Sequence, residues 1–226
     1  MSERTPGSRP ERSPLLTRLP RGLRETFTRY GIYLGVFAGI YVWVVIVCCA
    51  LTSPWWGFTQ SSFSAFGSSP GFGGKDSQPW IYNDVAMVPT GAMLMLYSVA
   101  LGICSKNKVQ ILGSAIFFVA GIFLALVGIF HGGTPWHDSV SAGFFAMALF
   151  AVITWGLGLL LEGRRGFGLG MLVTAAIAVV IAAEVNWPSV ATVEAFGVAA
   201  IDLWLVLMLF AVKRHPVEIG AGPSAG

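Results

Sequence analysis

The stretch VQILGSAIFFVAGIFLALVGIF, residues 109–130, contains no charged side chain, and it decides the class of fold. A bilayer's hydrocarbon core, about 30 Å thick, is crossed by roughly 20 residues of α-helix. Five further apolar runs of similar length lie near residues 30–52, 81–104, 139–161, 166–184 and 194–212. Open strands would leave backbone groups unpaired in lipid, and the runs lack the alternation of a transmembrane barrel. The sequence therefore predicts an all-α polytopic membrane protein with a bundle of six transmembrane helices.

The composition of the chain agrees with this fold class. Apolar residues make up 55% of the 226 residues and charged residues 11%, whereas a soluble domain carries about 25% charged residues. The net charge of +3 does not indicate a nucleic-acid partner, because the basic residues are distributed almost entirely over the tails and loops on one side of the predicted bundle. Membrane lipid is the expected partner.

Lysine and arginine fall almost entirely on one side of the predicted bundle. With the N-terminus inside, thirteen of the fourteen basic residues lie in inner segments, and only Lys75 lies outside. Because cytoplasmic loops carry the excess of Lys and Arg, we expect a protein of the cell membrane with both termini in the cytoplasm. The predicted organisation is a flexible basic tail (1–29), a transmembrane domain (30–214) and a second flexible tail (215–226).

Histidines and carboxyl groups collect at the predicted outer face, most densely in GIFHGGTPWHDSVSAGFF, residues 128–145. Imidazole and carboxylate together suit general acid/base catalysis or a divalent metal ion. The candidate catalytic residues are His137, Asp138, Asp84 and His131. The candidate metal ligands are His131, His137, Asp138 and Glu184. We also expect His137 and Asp138 to face inward, because a carboxylate turned to lipid loses hydration without gaining partners.

Each of these polar groups also has a structural interpretation. Asp138 opens the fourth span, where the helix dipole and exposed N–H groups stabilise an acid. Glu194 is interpreted in the same way as a first-turn acid. His131 can bond the last carbonyls of the third span, while Asp84 and Glu184 can reach the interface from their helix ends.

Two further features stand out. The outer loop 53–80 is long and rich in Ser, Gly and Phe, and we expect Phe63, Phe66 and Phe72 to pack on the helix ends as a lid. Asp202 interrupts the sixth span, where a charged carboxylate costs several kcal/mol. It is therefore expected to be protonated and hydrogen-bonded across helices, in a structural role or as a proton relay.

Two segments resemble a known family. SAFGSSPGFGGKDSQPWIYNDVAMVPTG and GIFHGGTPWHDSVSAGFF resemble signatures of domain-of-unknown-function family 998, six-span prokaryotic proteins. More remotely, the long first outer loop and the His-containing turn are similar to the Frag/DRAM/Sfk group, which is associated with membrane-lipid handling. The resemblance implies a fold but no reaction. The residues that match the pattern of the family are Trp80, Asn83, Gly91, His137, Asp138 and Phe145.

Three functions remain open at this point. The first is a lipid-linked protein with an extracytoplasmic polar pocket and hydrolase or acyl-transfer activity. The second is a non-catalytic membrane scaffold, in which the polar groups are caps and anchors. The third is a proton- or cation-coupled carrier that uses Asp202, although the spans offer little polarity beyond that residue toward the inner face.

Overall fold

The computed structural model describes residues 21–68 and 78–213, and this part of the chain is helical without strands. The α-helices are α1 (Arg21–Thr26), α2 (Tyr33–Thr52), α3 (Val88–Cys104), α4 (Lys108–Ile129), α5 (His137–Leu161), α6 (Arg165–Glu184) and α7 (Val190–Lys213). Two wider π-helical segments, Phe27–Gly31 and Ile81–Met87, lead into α2 and α3. A short 3-10 helix, Phe63–Gly67, lies between α2 and α3.

Six helices are long and apolar enough to cross a membrane, and the predicted fold class is confirmed. They span Arg29–Thr52, Ile81–Cys104, Lys108–Ile129, His137–Leu161, Arg165–Glu184 and Val190–Lys213. Their outward faces carry large apolar side chains such as Phe37, Leu51 and Leu161, which are exposed. Such faces need lipid as their solvent, so the chain is a multi-pass membrane protein. Residues 1–20 and 214–226, most of the two predicted tails, lie outside the described residues, and helix already begins at Arg21.

The helices pack in chain order and close into a ring. Each helix from α2 to α6 contacts the next one, and α7 returns to contact α2. The interfaces of α4 with α3 and with α5 are the most extensive. The segments 53–68, 130–136 and 185–189 share one end of the bundle, here called the long-loop end. This arrangement leaves a space inside the ring that side chains of several helices can line.

The α3–α4 contact depends on two glycines. A Cβ on Gly91 would lie 2.6 Å from the backbone N of Ala125 and from the carbonyl oxygen of Gly121. A Cβ on Gly121 would lie 2.9 Å from the carbonyl oxygen of Gly91. Since small residues let transmembrane helices approach backbone to backbone, this crossing sets the spacing of α3 and α4.

Pro89 lies at the start of α3, directly after the π-helical segment. Proline has no N–H, so it cannot bond the carbonyl four residues earlier. That carbonyl, of Val85, accepts a hydrogen bond from the Tyr41 hydroxyl of α2 at 2.6 Å. The irregular start of the second span is therefore stabilised by a neighbouring helix, as backbone at membrane depth requires.

A polar network ties α4 to α5 at the opposite end of the bundle. Asn107 caps α4 by accepting from the Gln110 backbone N–H at 3.0 Å. The buried Gln110 side chain donates to Glu162 at 2.7 Å. Gly163, with φ of 85°, ends α5 in the left-handed conformation that glycine tolerates best. The side chains of Asn107, Gln110 and Glu162 are thus used in joining the two helices.

Candidate functional site

A cavity of about 70 Å³ lies inside the ring near the long-loop end. It is bounded by α2, α3, α4, α5 and α7, and by the segment 53–68, here named the lid. The polar side chains on its wall are Ser64, Tyr82, Thr90, His137, Ser141, Glu194 and Asp202. The remaining lining is aliphatic or aromatic. A cavity of this size has room for several waters or a small polar group, because one water needs about 10–15 Å³.

His137 is the first residue of α5 and is buried, with 6% of its surface exposed. Its Nδ1 lies 2.7 Å from the carbonyl oxygen of Phe130, at the end of α4. A carbonyl only accepts, so Nδ1 carries the proton and donates it to Phe130. In the neutral ring, Nε2 is then an acceptor and is the nitrogen left to meet a ligand. The bond fixes both the tautomer and the orientation of the imidazole.

Glu194 connects the cavity to the lid. The backbone N–H of Phe63 donates to Glu194 Oε2 at 2.6 Å. The sequence interpretation as a first-turn acid is wrong, because α7 begins at Val190 and has no acidic residue in its first turn. Glu194 lies about one turn further in, and it lines the cavity.

The lid is held down by the start of α7 and by its own aromatic side chains. Besides the Glu194 contact, Ser189 Oγ donates to the carbonyl of Phe58 at 2.6 Å, and the Ala191 N–H donates to the carbonyl of Ser61 at 2.9 Å. Phe63 and Phe66 are each 3% exposed. The structure thus packs these two phenylalanines on the helix ends. Phe72 lies outside the described residues.

An aromatic cluster stiffens this segment. The ring of Trp56 stacks on Phe63, with centroids 5.9 Å apart, and its centroid lies 4.7 Å from that of Phe66. Phe66 in turn lies 6.0 Å from the ring of Tyr82, at the start of the second span. Aromatic pairs at such distances add stability beyond the area that they bury. The lid is therefore a packed wall of the cavity.

Asp202 forms the deepest polar point of the cavity. Its Oδ2 accepts a hydrogen bond from the indole N–H of Trp43 on α2 at 2.6 Å. A Cβ on Gly39 of the same helix would collide with the Asp202 carboxyl. The carboxyl is thus hydrogen-bonded between α7 and α2, at a place where glycine leaves room for it. The hydrogen bond across helices is present, as the sequence predicted.

Thr90 is a further polar group on the cavity wall. The residue is 3% exposed and lines the cavity, and its Oγ1 has no hydrogen-bond partner among the described residues. Buried hydroxyl groups are nearly always hydrogen-bonded.

The structure separates His137 from the other candidate residues. Asp138, Asp84 and Glu184 are exposed, and none of the three lines the cavity. Asp138 lies in the first turn of α5, where the dipole stabilises it. The expectation that His137 and Asp138 both face inward is wrong, because consecutive helical residues point about 100° apart.

His131 is also outside the cavity, and its Nδ1 lies 3.2 Å from the carbonyl of the next residue. Within residues 21–68 and 78–213, no three His, Cys, Asp or Glu side chains form a group that could hold a metal ion. The proposed ligands His131, His137, Asp138 and Glu184 are thus not brought together. A metal at this place gains no support from the geometry.

The comparisons with known proteins give a family and nothing finer. No curated protein and no solved structure matches the chain. One family matches residues 36–211, which include every residue that lines the cavity. The chain therefore belongs to the family described as "Protein of unknown function (DUF998)".

Proposed function

We propose that this protein binds a membrane lipid with its polar head in the cavity, and that His137 acts there as a general acid/base in hydrolysis or acyl transfer. The observation that carries the proposal is the fixed tautomer of His137. With Nδ1 donating to Phe130, Nε2 is an acceptor, and His137 lines a cavity whose wall also contains two carboxyl groups. A positioned imidazole of this kind is the commonest general base.

The reaction would proceed through the groups on the cavity wall. Nε2 takes a proton from an attacking hydroxyl or water as that oxygen bonds to the ester carbonyl carbon of the lipid. The same proton then passes to the departing alkoxide. Ser141, one turn further along α5, is the nearest candidate hydroxyl in sequence, because side chains four residues apart are neighbours on a helix. Thr90 and Glu194 are the groups available to hold the polar head.

We propose that the protein lies in the cell membrane with both termini in the cytoplasm and the cavity toward the outer leaflet. The distribution of basic residues supports this orientation, since thirteen of fourteen fall on the N-terminal side of the bundle. Cysteines introduced at residues 133 and 107 test it: only the first should react with an impermeant reagent added from outside.

A carrier receives less support from the described residues. Between Asp202 and the end of the bundle opposite the long-loop end, Ser98 and Ser114 donate to carbonyls of their own helices, at 2.7 and 3.0 Å. A proton or ion path would need polar groups turned to a shared channel.

The test uses the purified full-length chain in vesicles of bacterial phospholipid, with lipid products followed by mass spectrometry. His137→Gln should lower the rate of product formation by about 10²–10⁴-fold, the usual contribution of a general base. Asp138→Asn is the matched control, because it changes an exposed neighbour on the same helix, and it should leave the rate unchanged. If the parent binds and converts no lipid, the proposal is wrong. The non-catalytic scaffold then becomes the better interpretation.

A further inference from the structure

A second, apolar space lies beside the cavity. It is a groove of about 360 Å³ formed by α5, α6 and α7. Small residues make up much of its wall, among them Ala175, Ala178, Ala182, Gly197 and Ala200. Thr174, a polar residue in this wall, already donates to the carbonyl of Gly170 in its own helix at 2.8 Å. The groove is thus suited to a slender apolar group.

The groove has the depth of one leaflet. Along α7 its wall runs from Val193 to Trp204, which corresponds to roughly 16 Å at the helical rise of 1.5 Å per residue. A bilayer's hydrocarbon core is about 30 Å thick, so the groove occupies about half of it. Because it begins at the start of α7, this half belongs to the long-loop end.

The groove and the cavity share part of their wall. Phe145, Glu194 and Ile201 line both spaces. An occupant that fills both is therefore apolar along the groove and polar where it reaches Glu194. That distribution of polarity is the one found in a lipid.

We propose that the groove binds one acyl chain of a membrane lipid, taken from the leaflet at the long-loop end, while the head of the same lipid enters the cavity. This inference rests on the proposed function and adds the second half of the substrate site. Entry from the side is open to a lipid because α6 is the least enclosed span, with 17% of its most apolar window buried. A partner's transmembrane helix is a poorer fit. It is about 10 Å wide and must cross the full core, whereas the groove extends over half of it.

The test is photo-crosslinking in vesicles that contain a phospholipid with a diazirine near the end of one acyl chain. Mass spectrometry of the cross-linked peptides should place the label on the groove side of α6 and α7. Ala178→Phe should lower the labelling by at least about tenfold, because the new ring excludes several methylene groups from the groove. Ala176→Phe, on the exposed face of the same helix, should leave the labelling within about twofold of the parent.

A second pair of variants guards against misfolding. Ala200 lines the groove, while its neighbour Ala199 is exposed and does not. If Ala178→Phe does not fold, Ala200→Phe and Ala199→Phe repeat the comparison on α7. Any of three results would overturn the inference. The two variants of a pair could lower the labelling equally, or the labels could spread over all outward faces. The labels could also be replaced by cross-links to a second copy of the chain.

His137→Gln distinguishes this inference from the proposed function. It should lower the rate of lipid conversion by the same factor of about 10²–10⁴ and keep the acyl-chain label in the groove, because the residue lies in the cavity and not in the groove wall. Labelling of the groove without any effect of His137→Gln on lipid conversion would contradict the proposed function alone. Loss of conversion in His137→Gln with scattered labels in the parent would contradict the acyl-chain site alone.

Discussion

The hydrogen bond between Trp43 and Asp202 gives a prediction whose magnitude follows from the structure. Trp43→Phe keeps an aromatic ring but removes the N–H that the Asp202 carboxyl accepts at 2.6 Å. Leaving this half-buried acceptor without its partner costs about 1–3 kcal/mol, to which the smaller ring adds a packing loss. Asp202→Ala removes the acceptor, and the double variant contains neither group. We therefore expect the double variant to be more stable than the sum of the two single effects implies, by about 1–3 kcal/mol.

The free energy of unfolding is measured by titrating the protein in mild detergent with SDS and following far-ultraviolet circular dichroism. Circular dichroism is preferred because the substitution removes a fluorescent side chain. Trp136→Phe is the control, since Trp136 is exposed at the start of α5 and should show no coupling to Asp202. If the effects of Trp43→Phe and Asp202→Ala add within about 0.5 kcal/mol, the two groups are independent and the structural role assigned to their bond is refuted.

Three further predictions follow from other contacts. Glu194→Ala removes the acceptor for the lid and should raise the rate of proteolysis within the lid by about tenfold or more. Glu184→Ala, at an exposed helix end, should leave that rate unchanged. Equal rates in the two variants would contradict a role of Glu194 in holding the lid. Gly91→Ala should lower the free energy of unfolding by about 1–3 kcal/mol, because the new methyl meets the backbone of α4. The methyl of Gly170→Ala meets nothing within 4 Å, so this variant should be neutral or stabilising. A neutral Gly91→Ala would show that α3 and α4 are not in close contact. Asp202→Asn keeps an oxygen that can accept from the indole, so folding and lipid conversion should persist; a folded but inactive protein would instead indicate a proton relay.

The fold could be predicted from the sequence because lipid restricts the choices. A charge-free run such as 109–130 must form a helix in hydrocarbon, and the predicted span agrees with α4 to within one residue at each end. The largest disagreement is at α7, which was predicted to begin at residue 194 and begins at Val190. The four extra residues move Glu194 out of the first turn of the helix.

The site could be predicted only in part, because the cost of turning a carboxylate to lipid does not fix the direction of a polar side chain at a helix end, where water is close. His137 and Asp138 are neighbours in sequence and equal in depth, yet the helix turns one inward and the other outward. Contacts between segments that are distant in the sequence could not be predicted either. The bond from Trp43 to Asp202 joins residues 159 positions apart, and the bond from Phe63 to Glu194 joins residues 131 apart, and no local pattern marks either pair.

Helical spacing does contain a signal for the missed residue. Glu194, Val198, Ile201, Asp202 and Leu205 all line the cavity, and their separations of four, seven, eight and eleven residues place them on one face of α7. His137, Ser141, Phe144 and Phe145 repeat the first three of these separations on α5. Asp202 was already expected to turn away from lipid, and that expectation fixes the inward face of α7. Glu194 lies on this face, two turns nearer the long-loop end. An acid in the middle of a span can thus serve as a reference for its helix. Polar residues that share its face are candidates for the site, and polar residues on the other faces are not.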